Sequence, residues 1–325
     1  MTSPDLTPAH PSRIVVLGTG GTIAGRAAIA GDNLGYVAGQ VQVGELLADV
    51  PIPEGITWAA EQVCNIDSKD MSHAHWRALA CRCQQLLDDP GVRGIVITHG
   101  TDTLEETAFF LGEVLMAHKP VVLTCAMRPA SSPVPDGPQN LRDALAVAVA
   151  DGARGVLAVC AGTIHRARQV RKVHTYRLDA FSSGESGPVG FVEEGRIRRV
   201  CAWPEVLPPR LSAQRLPTAD LWPSVQIITS HAGADTVLVD ALVQAGGVDG
   251  IVVAATGNGT VHQSLQEALA KAQMAGIAVV RATRCADGAV LSSGEDRCPH
   301  AFDLSPAKAR ISLMLHLMDS RHRPA

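Results

Sequence analysis

Residues 95–106 read Ile-Val-Ile-Thr-His-Gly-Thr-Asp-Thr-Leu-Glu-Glu. A short, continuous apolar run ends in glycine, a hydroxyl and a carboxylate follow at once, and a helical pattern begins. An uninterrupted apolar run of this length suits a strand buried on both faces. The turn after it delivers Thr101 and Asp102 to the C-terminal end of that strand, which is where open α/β sheets bind ligands. A second stretch repeats the layout: Arg13-Ile-Val-Val-Leu-Gly-Thr-Gly-Gly-Thr-Ile-Ala-Gly25 ends with Thr22 in a glycine turn. Two threonines presented in this way point to chemistry by a hydroxyl nucleophile.

Working outward, apolar runs alternate with helical patterns. Ile14–Gly18, Gly94–Thr98, Val121–Cys125 and Gly155–Cys160 read as buried strands. Met71–Asp88, Thr103–Ala117 and Leu141–Ala150 read as helices. The alternation predicts a mainly parallel sheet flanked by helices. Thr103 and Glu106 have the spacing of a capping box for the helix they open. Five prolines between Trp203 and Ser224 resist helix and central strand. Residues 203–224 are therefore expected to link an N-terminal catalytic domain, 1–202, to a smaller C-terminal α/β domain, 225–325. In the latter, Val225–Thr229, Gly250–Ala254 and Ile277–Arg281 read as strands. Ala234–Ala245, Thr260–Ala275 and Ser305–Met318 read as helices.

Composition narrows the function classes. The chain has 325 residues, 46% hydrophobic and 18% charged, enough for two domains with a sizeable core. A net charge of −4 argues against binding along a nucleic-acid backbone. No run of 18 apolar residues offers a membrane span. The first thirteen residues carry neither an apolar segment nor an early cationic one, so the expected location is the cytoplasm. None of the eight cysteines forms a C-x-x-C pair, and they read as reduced structural thiols. The twelve histidines show no H-E-x-x-H spacing, and no metal is expected.

The turn Gly18-Thr-Gly-Gly-Thr22 invites a dinucleotide reading, but the third glycine of G-x-G-x-x-G would fall on Ile23 and no helical pattern starts there. Arg26–Gly39 instead has the composition of a loop that could close over a site. A threonine hydroxyl needs a base or a network to become nucleophilic. Asp102 is one candidate base, and a desolvated lysine is another. Capping of the following helix is the alternative role for Thr101 and Asp102. Four of the five basic residues in Thr163–Arg177 read as a solvated face or as a loop pairing with acidic neighbours, and Gly257-Asn-Gly-Thr260 reads as a turn with an N-cap.

From Arg13 to Met318 the chain resembles the bacterial L-asparaginases of the type II and glutaminase-asparaginase group. Gly20-Gly-Thr-Ile-Ala-Gly25 and Thr98-His-Gly-Thr-Asp-Thr-Leu-Glu-Glu106 look like the two family signatures. Ala126-Met-Arg-Pro129 and Asp136-Gly-Pro-Gln-Asn140 look like its later blocks. The resemblance implies a larger N-terminal domain and a smaller flavodoxin-like C-terminal one. It also implies hydrolysis of L-asparagine to L-aspartate and ammonia through an acyl-threonine, without a cofactor. It makes Thr22 the nucleophile, Tyr36 the lid tyrosine, and Thr101, Asp102 and Lys172 the group that activates water. Ser68, Lys69 and Ala126 fall on substrate-binding positions. Asn258 and Glu295 fall on positions contributed by a neighbouring subunit of a homotetramer built from intimate dimers.

Two departures stand out. The first residues do not read as the secretion signal usual in type II members, which is why a cytoplasmic location is expected. Lys69 occupies a position that usually carries an uncharged or acidic residue near the substrate α-ammonium. Two like charges about 4 Å apart cost on the order of a thousandfold in affinity at an effective dielectric of about 20. Three outcomes stay open: Lys69 turns toward Asp67 or Asp70, L-asparagine binds weakly, or the substrate lacks a free ammonium there. The rival substrates are L-glutamine, a D-amino acid amide or an N-substituted amide. A non-catalytic amino-acid sensor and a nicotinamide oxidoreductase are the readings from other classes.

Overall fold

The computed structural model describes residues 13–29, 31–48, 50–51, 55–291 and 299–322. The chain divides into two compact units, one ending at Gln214 and the other starting at Arg215.

The first unit runs β1 (Arg13–Gly20), β2 (Arg26–Ala27), β3 (Tyr36–Val37), α1 (Val43–Leu47), β4 (Thr57–Ile66), α2 (His73–Asp88), β5 (Val92–Thr98), α3 (Leu104–Val114), β6 (Pro120–Thr124), α4 (Gly137–Val149) and β7 (Gly155–Cys160). The shorter strands β8 (Thr163–Arg166), β9 (Arg171–Lys172), β10 (Phe181–Ser182), β11 (Gly190–Glu193) and β12 (Arg196–Arg199) follow. Eight strands form one sheet in the order β12-β11-β8-β7-β6-β5-β1-β4. From β7 to β4 all neighbours are parallel. β8, β11 and β12 extend the sheet antiparallel.

The apolar runs form strands because they can be covered on both faces. Ile14, Val16, Ile95, Val96, Ile97, Val121 and Val122 have no solvent exposure. α4 packs on β5, β6 and β7, placing Leu141, Ala144, Leu145 and Ala148 in the same core as Val96, Val122 and Leu157. On α2 and α3, the Trp76 indole N–H donates to Thr107 at 2.9 Å and its ring stacks on Phe110. α2 begins where Ser72 and His75 cap each other reciprocally.

Several elements differ from the expectation. β4 is not legible in the sequence, because none of its ten positions is fully buried and no continuous apolar run marks it. The antiparallel strands turn through two-residue loops, Ala161-Gly162 and Glu194-Gly195, with all four residues at positive φ. Such turns match the twist of paired strands. A residue-glycine pair between Phe191-Val-Glu193 and Arg196-Ile-Arg198 is the signal that would have found them. The Arg26–Gly39 loop contains the β2–β3 hairpin, and its tip is turned by Asp32, whose carboxylate accepts the Leu34 and Gly35 N–H groups at 2.8 Å. These bonds hold the Asp32 carboxyl below its ordinary pKa.

The proline-rich segment 203–224 is built into folded structure. Trp203 lies in the core of the first unit, and Leu211, Leu216 and Trp222 are buried. The second unit runs β13 (Val225–Thr229), α5 (Val237–Ala245), β14 (Gly250–Ala255), α6 (Gln263–Met274), β15 (Ala278–Thr283) and α7 (Pro306–His322). Its parallel sheet has the order β13-β14-β15. Ile251 and Val253 pack with Val239, Leu265, Ala268 and Leu269 of α5 and α6. Gly257–Thr260 does not cap α6. Thr260 pairs back to Thr256, while His262 accepts the Ser264 N–H and starts the helix.

Candidate active site

Three chain reversals meet beyond the C-terminal ends of β4, β1 and β5. Gly20 and Gly21, at φ +98° and +78°, turn the chain so that Thr22 opens a short helical turn. A Cβ on Gly21 would sit 2.3 Å from the Gly100 Cα, and one on Gly100 would sit 2.5 Å from Ser68 Oγ. Only residues without side chains let these backbones approach so closely. The two threonine turns are thereby brought against each other, with the turn after β4 packed on the second.

Thr22 is buried, and its hydroxyl lies 2.7 Å from the Tyr36 phenol oxygen. Tyr36 is placed by the β2–β3 hairpin. That hairpin is fastened by the Ala27 N–H donating to Ser131 Oγ at 2.8 Å and by Gln40 N–H donating to the Ala24 carbonyl.

The second cluster follows β5. The Lys172 ammonium donates to Thr101 Oγ1 at 2.8 Å and to Asp102 Oδ1 at 2.6 Å. Lys172 reaches this point from β9, seventy residues on, and its backbone N–H donates to Glu105 in the first turn of α3. The Lys172 side chain is largely covered, whereas that of Asp102 is 54% exposed and can meet a ligand from solvent.

Ser68 closes one side. Its hydroxyl accepts the Asp102 N–H at 3.2 Å and its carbonyl accepts the Thr103 hydroxyl at 2.8 Å. This corrects the capping-box expectation: Thr103 makes no side-chain cap to α3, and its hydroxyl donates to the Ser68 carbonyl. Lys69 turns to its own loop, donating to Asp67 at 2.7 Å and Asp70 at 3.1 Å. Those two carboxylates, Asp67 foremost, raise the Lys69 pKa.

Ala126 is buried just after β6. The Asp136 carboxylate accepts the N–H groups of Met127 and Arg128, both at 2.9 Å, and so holds that turn. Asn258 belongs to the second unit, where its amide donates to the Leu291 carbonyl and accepts the Leu291 N–H. Glu295 lies outside the described residues. Glu105, Asp136 and His99 were not singled out from the sequence, because what they hold is far away or on the backbone.

His99 is wholly buried beside Thr101, bonded through Nδ1 to the Gly100 carbonyl, with no partner for Nε2 among the described residues. Burial lowers its pKa to about 4. The unfolded chain binds a proton below about pH 6.5 that the folded chain refuses until about pH 4, so stability falls as pH falls through that window. Urea unfolding of the wild type should lose about 2 kcal/mol between pH 7 and pH 5 beyond what His99→Gln loses. Equal losses in both proteins would show that His99 carries no such linkage.

Residues 13–202 match the family model for the asparaginase N-terminal domain, and residues 224–324 match that for the glutaminase/asparaginase C-terminal domain. The chain belongs to the asparaginase family. Among curated family members, L-asparaginase 2 of Escherichia coli K12 is 39% identical, over 95% of this chain and 89% of that protein. The glutaminase-asparaginase of Pseudomonas fluorescens biotype A is 36% identical, over 94% and 86%. The crystal structure of a probable cytoplasmic L-asparaginase from Campylobacter jejuni superposes with a TM-score of 0.84. It has 37% identity and covers 94% of this chain and 95% of that one.

Proposed function

We propose that this asparaginase-family protein hydrolyses the side-chain amide of L-asparagine to L-aspartate and ammonia. The observation that carries the reading is the pairing of two hydroxyl clusters, Thr22–Tyr36 and Thr101–Lys172–Asp102, on turns whose glycines touch. Thr22 attacks the amide carbon and Tyr36 relays its proton toward the leaving ammonia. Water then attacks the acyl-threonine, with Thr101, Lys172 and Asp102 handling its proton. Backbone N–H groups beside Thr22 and Thr101 hold the oxyanion, a contribution often of several kcal/mol. Asp102, whose carboxylate is exposed to the site, meets the substrate α-ammonium, while Ser68 and Ala126 border the bound amino acid. Threonine, lysine and carboxylate groups cover each proton transfer, so the reading requires no cofactor.

Release of ammonia from L-asparagine by the purified protein, beside L-glutamine, D-asparagine and an N-substituted amide, is the direct test. Binding without release would instead favour a sensor. A homotetramer in which Asn258 and Glu295 of one subunit border a neighbour's site fits the family relationship. Light scattering of the eluted protein measures the assembly. A cytoplasmic location fits seven unpaired thiols among the described cysteines, and cell fractionation checks it.

The Lys69 geometry favours an ordinary amino-acid amide. Because Asp67 and Asp70 already hold its ammonium, Lys69→Gln should change KM for L-asparagine by less than about twofold. Removing both carboxylates, Asp67→Asn with Asp70→Asn, frees the lysine and should raise KM about tenfold. Adding Lys69→Gln to that pair should restore it. A tenfold gain from Lys69→Gln alone would show that the lysine faces the substrate.

A further inference from the structure

β6 and β7 are parallel neighbours whose register ends with Thr124 opposite Val159, so the next positions are Cys125 and Cys160. Opposed positions on adjacent strands lie about 4.8 Å apart. That is inside the Cα window a disulfide spans, about 4.4–6.8 Å. The two sulfurs already stand 3.4 Å apart, and both side chains are buried. Closure to a disulfide brings them about 1.4 Å nearer.

The pair is coupled to the candidate site. Cys125 directly precedes Ala126, and its carbonyl accepts the Asn140 Nδ2 at 2.9 Å. The Asn140 Oδ1 accepts the N–H of Ala161, directly after Cys160, at 3.0 Å. Asn140 Nδ2 also reaches Asp136, the carboxylate holding the Met127 and Arg128 N–H groups. One asparagine therefore ties both thiol-bearing strand ends to the turn that borders the substrate.

We propose that Cys125 and Cys160 form a redox modification site, closing to a disulfide under a hydroperoxide and slowing the hydrolysis by displacing the Ala126 turn. The slowing rests on the asparaginase reading; the modification does not. Cys160 is the less covered of the two, 4% against 1% exposed, so it meets the oxidant first. Peroxide transfers a hydroxyl to Cys160 sulfur, giving a sulfenic acid and one water. Cys125 sulfur then attacks, the S–S bond forms, the S–O bond breaks and a second water leaves with the thiol proton. Two thiols have given two electrons to the peroxide.

The test treats the whole protein with hydrogen peroxide and maps disulfide-linked peptides by mass under non-reducing conditions. Exposed Cys285 reports that oxidant has reached thiols. The expected result is a linked Cys125–Cys160 peptide, faster hydrogen exchange at the Met127 and Arg128 amides, and a fall of about tenfold in kcat/KM for L-asparagine that dithiothreitol reverses. Cys160→Ala should keep the activity of the reduced enzyme and resist peroxide. Complete oxidation of Cys285 with no linked peptide would reduce the pair to core packing. A linked peptide with unchanged amide exchange would overturn the coupling to the Ala126 turn. If no ammonia is released even when reduced, the peptide and exchange data still decide the modification while the hydrolase reading fails separately.

Discussion

Thr22→Ala should bring ammonia release from L-asparagine to the detection limit, a loss on the order of 10^4-fold or more, in a protein that still folds. The size follows from what the hydroxyl does. In the proposed reaction it is the atom that bonds to substrate carbon, and no other described hydroxyl contacts Tyr36. The structural cost is small by comparison. Thr22 loses one methyl-sized group's worth of packing and leaves the Tyr36 phenol without this partner, about 1 kcal/mol. A urea midpoint near that of the wild type, with no turnover, would locate the loss in the chemistry. Thr22→Ser keeps the oxygen and should keep measurable activity. Mass spectrometry of quenched turnover should show an acyl adduct on the Thr22 peptide in the wild type and none in Thr22→Ala. Substantial turnover by Thr22→Ala would move the nucleophile elsewhere, with Thr101 the next hydroxyl to examine.

Lys172→Met should lower kcat by on the order of 10^3-fold, and the acyl adduct should accumulate. The structure gives Lys172 two bonds that matter, to Thr101 and Asp102, and methionine makes neither. The backbone bond from Lys172 to Glu105 survives the change, so the strand stays in place. Asp102 is more than half exposed and remains solvated after its cation is removed, so the variant leaves no buried unpaired charge. Accumulation of adduct separates the two roles open to Lys172. If it activates water, acylation proceeds and deacylation stalls. If instead the variant is slow with no adduct, Lys172 serves the first step and the division of labour between the two threonines is wrong. Lys172→Arg keeps the charge but not the reach or geometry of the ammonium and should recover little.

By itself, the sequence determined the parts of this protein that depend on neighbours along the chain. The buried runs at Ile14–Leu17, Ile95–Thr98, Val121–Thr124 and Gly155–Cys160 are strands because nothing but two covered faces suits them. The glycine turns announced that hydroxyls stand at the ends of two of them, and collinear family blocks named the chemistry. β4 stayed hidden because it is paired along one edge only and poorly covered, so its residues need not be apolar.

Tertiary structure alone decided what depends on residues distant in sequence. Thr103 has the spacing of a capping residue, yet it caps no helix N–H; its hydroxyl donates to the carbonyl of Ser68, thirty-five residues earlier, which the packed turns bring beside it. The resemblance groups Lys172 with Thr101, but no hydrophobic pattern marks the two-residue strand through which the contact is made. Lys69 has the wrong sign for an ammonium site, and only its bonds to Asp67 and Asp70 show the charge turned aside. Cys125 and Cys160 read as separate core thiols until the strand register sets them 3.4 Å apart. Burial and turn chemistry are written locally, whereas the direction of a side chain is set by whichever distant partner the fold brings within hydrogen-bond reach.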